Sequence, residues 1–176
     1  MKINTMNKEI IKNSILGLIL ADALGVPVEF KLREELDHNP VKDMIGYGTY
    51  NQPPGTWSDD SSMALVTMES LTGGYSLEDV MKGFCKWAHK GYMTPYGCRF
   101  DIGNITSTAC NNYLHDKNIK TCGETSEYSN GNGSLMRILP ASIYFAGESE
   151  KTIIKKSFEI SALTHNHIRS KIACAL

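Results

Sequence analysis

Along the chain, apolar residues recur at helical spacing in several stretches, separated by long polar or glycine-rich connections. Ile10, Ile11, Ile15, Leu18 and Ile19 share one face of a helix over residues 7–23, stopped by Gly25 and Pro27, and the first element is expected to be a buried helix. Residues 31–57 lose this period and collect His38, Asn39, Pro40, Gly46, Gly48, Pro53, Pro54 and Gly55, which predicts a long connection with little regular structure. Ser58 then stands as an N-cap before Met63, Ala64, Val66, Met68 and Leu71, with Gly73-Gly74 as the stop. Ser76-Leu77-Glu78-Asp79 resembles a capping box opening a helix with Val80, Met81, Phe84, Cys85 and Ala88, closed near Gly91. Helical spacing returns at Ile105, Thr108, Ala109, Asn112 and Tyr113, then gives way to a polar stretch over residues 115–130. Residues 135–145 are expected to form short or broken helical segments because of Pro140. Ile153, Ile154, Phe158 and Ser161 predict another helix, and Ile168, Ile172, Ala173 and Leu176 begin a last one, which stops in mid-pattern as if the chain were cut short. With no alternating strand and no internal repeat, the class is all-α, with functional loops at helix ends, in one domain over residues 1–176.

Composition narrows the partners. The 176 residues are 41% hydrophobic with a net charge of −1, enough for one ordinary core. A pI near 6.5 supplies no basic field for a phosphate backbone, so nucleic acid is excluded as a partner. Lys8, Glu9, Lys12, Asn13, Ser14 and Asp22 interrupt the first apolar segment, so no span of the roughly 18–20 residues needed for a membrane is expected. Cys85, Cys98, Cys110, Cys122 and Cys174 are odd in number and form no C-x-x-C pair, which reads as reduced thiols in a cytoplasmic protein.

The densest candidate chemistry is Gly55-Thr56-Trp57-Ser58-Asp59-Asp60-Ser61, a hydroxyl and two adjacent carboxylates where a loop turns into a helix. As a plain helix start, the acids face the favourable end of the dipole. As ligands, Ser58, Asp59 and Asp60 offer hard oxygens suited to Mg²⁺, Mn²⁺ or Ca²⁺. Asp22 and Glu29 flank Gly25 and Pro27 at the end of the first helix, where backbone can approach a ligand closely. Asp101, before Ile102-Gly103-Asn104, reads by itself as a helix cap. Gly131-Asn132-Gly133-Ser134 is a turn whose N–H groups suit an anion, but no Gly-Lys-[Ser/Thr] follows, so it is not a P-loop. His165 and His167 have no acids or cysteines at zinc-ligand spacing.

These patterns, in this order and together with Thr164-His165, resemble the ADP-ribosylglycohydrolase family of the dinitrogenase-reductase-activating type. The resemblance covers the whole chain but only the first half to two-thirds of a usual member. It implies a compact multi-helix orthogonal bundle lacking the family's C-terminal helices, and metal-dependent hydrolysis of the bond between ADP-ribose and an acceptor on a protein side chain or small conjugate. By this resemblance Ser58, Asp59 and Asp60 are metal ligands, with serine where threonine is commoner. Glu29 and Asp101 are the catalytic carboxylates, either of them the base. Asp22, Gly25, Gly131, Asn132, Gly133, Ser134 and His165 fall on the substrate side, with Met136 and Arg137 supporting the loop. The cofactor expected is Mg²⁺ or Mn²⁺, two ions in the complete family site.

The family's later Asp-x-Asp-[Ser/Thr] motif does not occur in these residues, so only one ligand set is present. Three alternatives stand: a fragment or split half of a hydrolase, completed by self-association or a separate C-terminal half; a catalytically disabled ADP-ribose-binding module; or a helical remnant with no ligand. Apolar surface is expected to lie exposed where further helices would pack.

Overall fold

The structure, a computed structural model, describes residues 7–176. Among them it forms eight α-helices, α1 Lys8–Gly25, α2 Arg33–His38, α3 Asp59–Thr72, α4 Leu77–Lys90, α5 Asn104–Asp116, α6 Leu139–Phe145, α7 Glu150–Ser161 and α8 Ile168–Ala175. Short 3₁₀ turns occupy Val26–Val28 and Asn132–Ser134. The one extended pairing among the described residues is an isolated parallel bridge between Glu124 and His165, so the chain is all-α, as the sequence predicts.

Local sequence explains most boundaries. Asn7 caps α1 by accepting from the Glu9 N–H, and Ser76 caps α4 by accepting from Asp79. Gly91 ends α4 in the left-handed conformation at φ 64°; a Cβ there would lie 2.1 Å from the Gly97 carbonyl oxygen. Pro140 sits in the first turn of α6, where its missing N–H costs nothing, which makes the helix short and delays its start.

α3 is the central helix and packs on α1, α4 and α6. Its Met63 and Val66 join Val80, Met81, Phe84 and Trp87 of α4 and Cys110 and Tyr113 of α5 in the larger core. The approach of α3 to α4 is close: a Cβ on Gly83 would lie 2.4 Å from Val66 Cγ1. Leu71, at the other end of α3, meets Ile138, Ala141, Phe145, Ile160 and Cys174 in a second cluster. α3 is thus held on three sides, which fixes the direction of its N-terminus.

Three expectations are corrected. The first helix is only half-buried: Ile15 and Ala23 are enclosed, whereas Ile10, Leu16, Leu20 and Leu24 are exposed. Its apolar residues occupy two faces, and spacing alone does not say which one is covered. The connection after it contains α2, a helix with no buried residue and hence no apolar period to read. By length and composition, Lys8–Val28 is long and apolar enough to cross a membrane, contrary to the expectation of no such run. Exposed apolar surface is present at the other end too, where Ile153, Ile154, Phe158, Ile172, Ala175 and Leu176 line an open recess between α7 and α8.

Candidate functional site

The N-terminus of α3 is capped from across the fold. Ser58 occupies the cap position but makes no capping bond with its own side chain. Instead Asp22, in the last turn of α1, accepts from the Ser58 N–H at 2.9 Å, the Ser61 N–H at 3.0 Å, the Ser58 hydroxyl at 2.7 Å and the Ser61 hydroxyl at 2.6 Å. One carboxylate thereby satisfies orphan backbone donors and complements the helix dipole, joining α1 rigidly to α3. Sequence reasoning puts Asp22 near a ligand; the structure gives it this strut role at the edge of the cleft.

With that joint made, the motif residues converge. A cleft of about 680 Å³ is lined by Asp22, Gly25, Glu29, Ser58, Asp59, Asp60, Asp101, Gly103, Asn132 and Met136, with apolar residues of α1 and its following turn. Asp101 does not cap α5, because Gly103 takes the cap position and leaves the Asp101 carboxylate to the cleft. Thr49 fastens the Glu29 turn, donating its N–H to the Pro27 carbonyl at 3.1 Å and its hydroxyl to the Glu29 carbonyl at 2.7 Å.

Tyr50 is the residue that sequence reasoning missed. Its ring packs against Phe30 at 6.4 Å and Phe100 at 5.2 Å, and its hydroxyl lies in the field of the Glu29 and Asp101 carboxylates. Burial and those two acids hold its phenol protonated, well above the usual range. The only signal in the chain was that its connection is long for a compact domain.

Crowded carboxylates in a partly dry cleft titrate late. Burial, then Asp101, Asp60 and Asp22, push Asp59 well above the usual carboxylate range. Burial with Asp22, Glu29 and Asp101 raises Asp60 to about 6, and burial with Asp101 and Asp22 raises Glu29. The cleft therefore has a marked deficit of positive charge.

The loop over residues 131–134 reaches the cleft through Asn132, which is exposed, while Ser134 turns inward and accepts from the Ser161 hydroxyl at 3.0 Å. His165 lies beneath the loop, 2% exposed, and neither it nor Ser134 lines the cleft. Gly131 and Gly133 lie over its ring: a Cβ on Gly133 would be 2.8 Å from His165 Cε1, and one on Gly131 3.6 Å from Nε2.

A family model for ADP-ribosylglycohydrolase matches residues 4–176. The chain belongs to the ADP-ribosylglycohydrolase family. Among ADP-ribosylglycohydrolase relatives, it is 32% identical over 165 residues to the ADP-ribosylarginine hydrolase Tri1 of Serratia proteamaculans, covering 93% of this chain and 44% of that protein. It is 30% identical over 168 residues to the ADP-ribosyl-[dinitrogen reductase] glycohydrolase of Rhodospirillum rubrum, covering 92% of this chain and 53% of that one. A solved ADP-ribosylglycohydrolase-related protein complex superposes with a TM-score of 0.77 at 27% identity, covering 93% of this chain and 51% of that chain. The chain spans about half the length of the curated relatives it matches.

The donors of this cleft are all oxygens, the ligand type a hard divalent cation takes, and Glu29, Asp59 and Asp60 are each raised first by burial and then by their acidic neighbours. Among the described residues, however, no group of three or more His, Cys, Asp or Glu side chains is drawn together as a finished metal cage.

Proposed function

We propose that this chain carries a cleft for ADP-ribose conjugates and contributes to hydrolysis of the glycosidic bond between ADP-ribose and its acceptor, with Mg²⁺ or Mn²⁺ held by Ser58, Asp59 and Asp60. The observation that carries the reading is the gathering of Glu29, Asp59, Asp60 and Asp101 around one cleft, with Asn132 on its opposite loop. A bound divalent cation would orient ribose hydroxyls and acidify water.

The remaining chemistry is electrostatic. Positive charge develops on the ribose as the bond to the acceptor breaks, and the carboxylates that line the cleft stabilise it. Glu29 serves as proton acceptor, its affinity for protons raised by burial and by Asp101. Tyr50, beside Glu29 and Asp101, orients both. Asp22 serves the α1–α3 joint, its oxygens already taking four hydrogen bonds. Asn132 and the backbone of its loop hold the diphosphate. An ADP-ribosylated arginine is the acceptor suggested by the name of the Serratia relative. Five free cysteines accord with a cytoplasmic setting.

The test is release of ADP-ribose from ADP-ribosyl-arginine by the purified chain, with Mg²⁺ and then with a chelator. Chelator-sensitive turnover, lost in the Asp59→Ala plus Asp60→Ala variant, is expected. Turnover that survives both would overturn the metal assignment. A folded chain that neither turns over nor binds ADP-ribose would overturn the reading as a whole.

A further inference from the structure

Beneath the 131–134 loop lies a buried polar chain that the proposed chemistry does not use. Arg137 is fully enclosed, its guanidinium 4.3 Å from the centre of the Phe84 ring. Its Nε donates to the Gly133 carbonyl at 3.1 Å, and Nη2 donates to the Ile160 carbonyl at 3.4 Å and the Thr164 hydroxyl at 2.8 Å. The Thr164 hydroxyl lies in turn 2.8 Å from His165 Nδ1.

Donor counting favours one set of directions for these bonds. Arginine only donates, so the Thr164 oxygen accepts from it, and the threonine proton is free to go to Nδ1. The opposite tautomer, with a proton on Nδ1, would make Thr164 accept twice and leave its own proton without that acceptor. Burial and the nearby Arg137 charge keep the imidazole neutral, its pKa pushed down to about 4, so a single ring proton must be placed. With Nδ1 accepting, that proton sits on Nε2, on the ring edge where a Cβ at Gly133 would come within 3.2 Å of Nε2.

We propose that Arg137, acting through Thr164, locks His165 in the Nε2–H tautomer beneath Gly131 and Gly133, and so sets the shape of the loop that carries Asn132 into the cleft. Arg137 and Thr164 are positioning residues. Arg137 grips the loop at the Gly133 carbonyl and also fixes the ring on which the loop rests. The role of the loop in holding ADP-ribose rests on the function proposed above; the tautomer lock does not.

The experiment is long-range ¹H–¹⁵N correlation of the His165 ring in the ¹⁵N-labelled 176-residue chain, together with ADP-ribose titration. The expected spectrum has a pyridine-like Nδ1 and a pyrrole-like Nε2, unchanged from about pH 5 to about pH 8. Thr164→Val should mix the tautomers and weaken ADP-ribose binding about five- to tenfold, the effect of losing one buried hydrogen bond. Thr164→Ser should restore both. A pyrrole-like Nδ1 in the unaltered chain overturns the lock, even if the valine variant fails to fold, and so does a valine variant whose tautomer is unmoved. Absence of ADP-ribose binding by the unaltered chain counts against the proposed function, while the ring spectrum still decides the lock.

Discussion

Asp60→Asn should make the protein more stable at neutral pH, and the gain should disappear in acid. Asp60 is raised from its usual 3.8 to about 6 by burial and by Asp22, Glu29 and Asp101. A carboxyl that binds its proton more tightly when folded destabilises the fold as pH rises, here from about 4 to about 6, and the loss persists above that. The displacement corresponds to about 3 kcal/mol, which screening at this open cleft reduces to about 1–2 kcal/mol. Asparagine also gives up the favourable helix-dipole interaction in the first turn of α3, about 0.5 kcal/mol. The net gain at pH 7–8 is about 1 kcal/mol, or about 2–4 °C in melting temperature for a chain of this size. Thermal unfolding followed by circular dichroism from about pH 3.5 to about pH 8 reads this directly. Mg²⁺ should raise the melting temperature of the parent more than that of the variant. A variant that is less stable at neutral pH, or equally altered at both ends of the range, would refute the account of the cleft as an uncompensated cluster of acids.

Asp22→Ala removes four hydrogen bonds at the α1–α3 joint and should cost about 2–4 kcal/mol, measured as a lowered denaturation midpoint. Gly48→Ala places a Cβ 1.8 Å from the Pro27 carbonyl oxygen; it should cost about 1–3 kcal/mol and, by displacing the Glu29 turn, lower any turnover more than it lowers ADP-ribose affinity. Cys122→Ser should leave activity intact, since the thiol is buried against the Leu163 carbonyl at 3.2 Å, away from the cleft, and serine keeps the donor. Loss of activity with an unchanged melting temperature would count against that thiol as a bystander.

Where periodicity and capping agreed, the chain could be read directly. The α3 and α4 helices run close to their predicted limits because Gly73, Ser76 and Gly91 punctuate them locally. The all-α class was legible for the same reason: each helix is a local pattern with a local physical consequence. α2 was not legible, because a helix that buries nothing carries no apolar period. Nor was the covered face of α1, whose apolar residues lie on two sides.

The sequence by itself thus determined the helices that bury an apolar face and supplied the short motifs that mark the family. Tertiary structure alone decided that Asp22 caps α3 from another helix, that Tyr50 lies beside Glu29 and Asp101, and that His165 lies under the 131–134 loop. Those contacts join residues far apart in the chain, and their geometry depends on how α3 is wedged among α1, α4 and α6. Spacing along a sequence records which face of a helix is apolar; it carries no record of what that face meets.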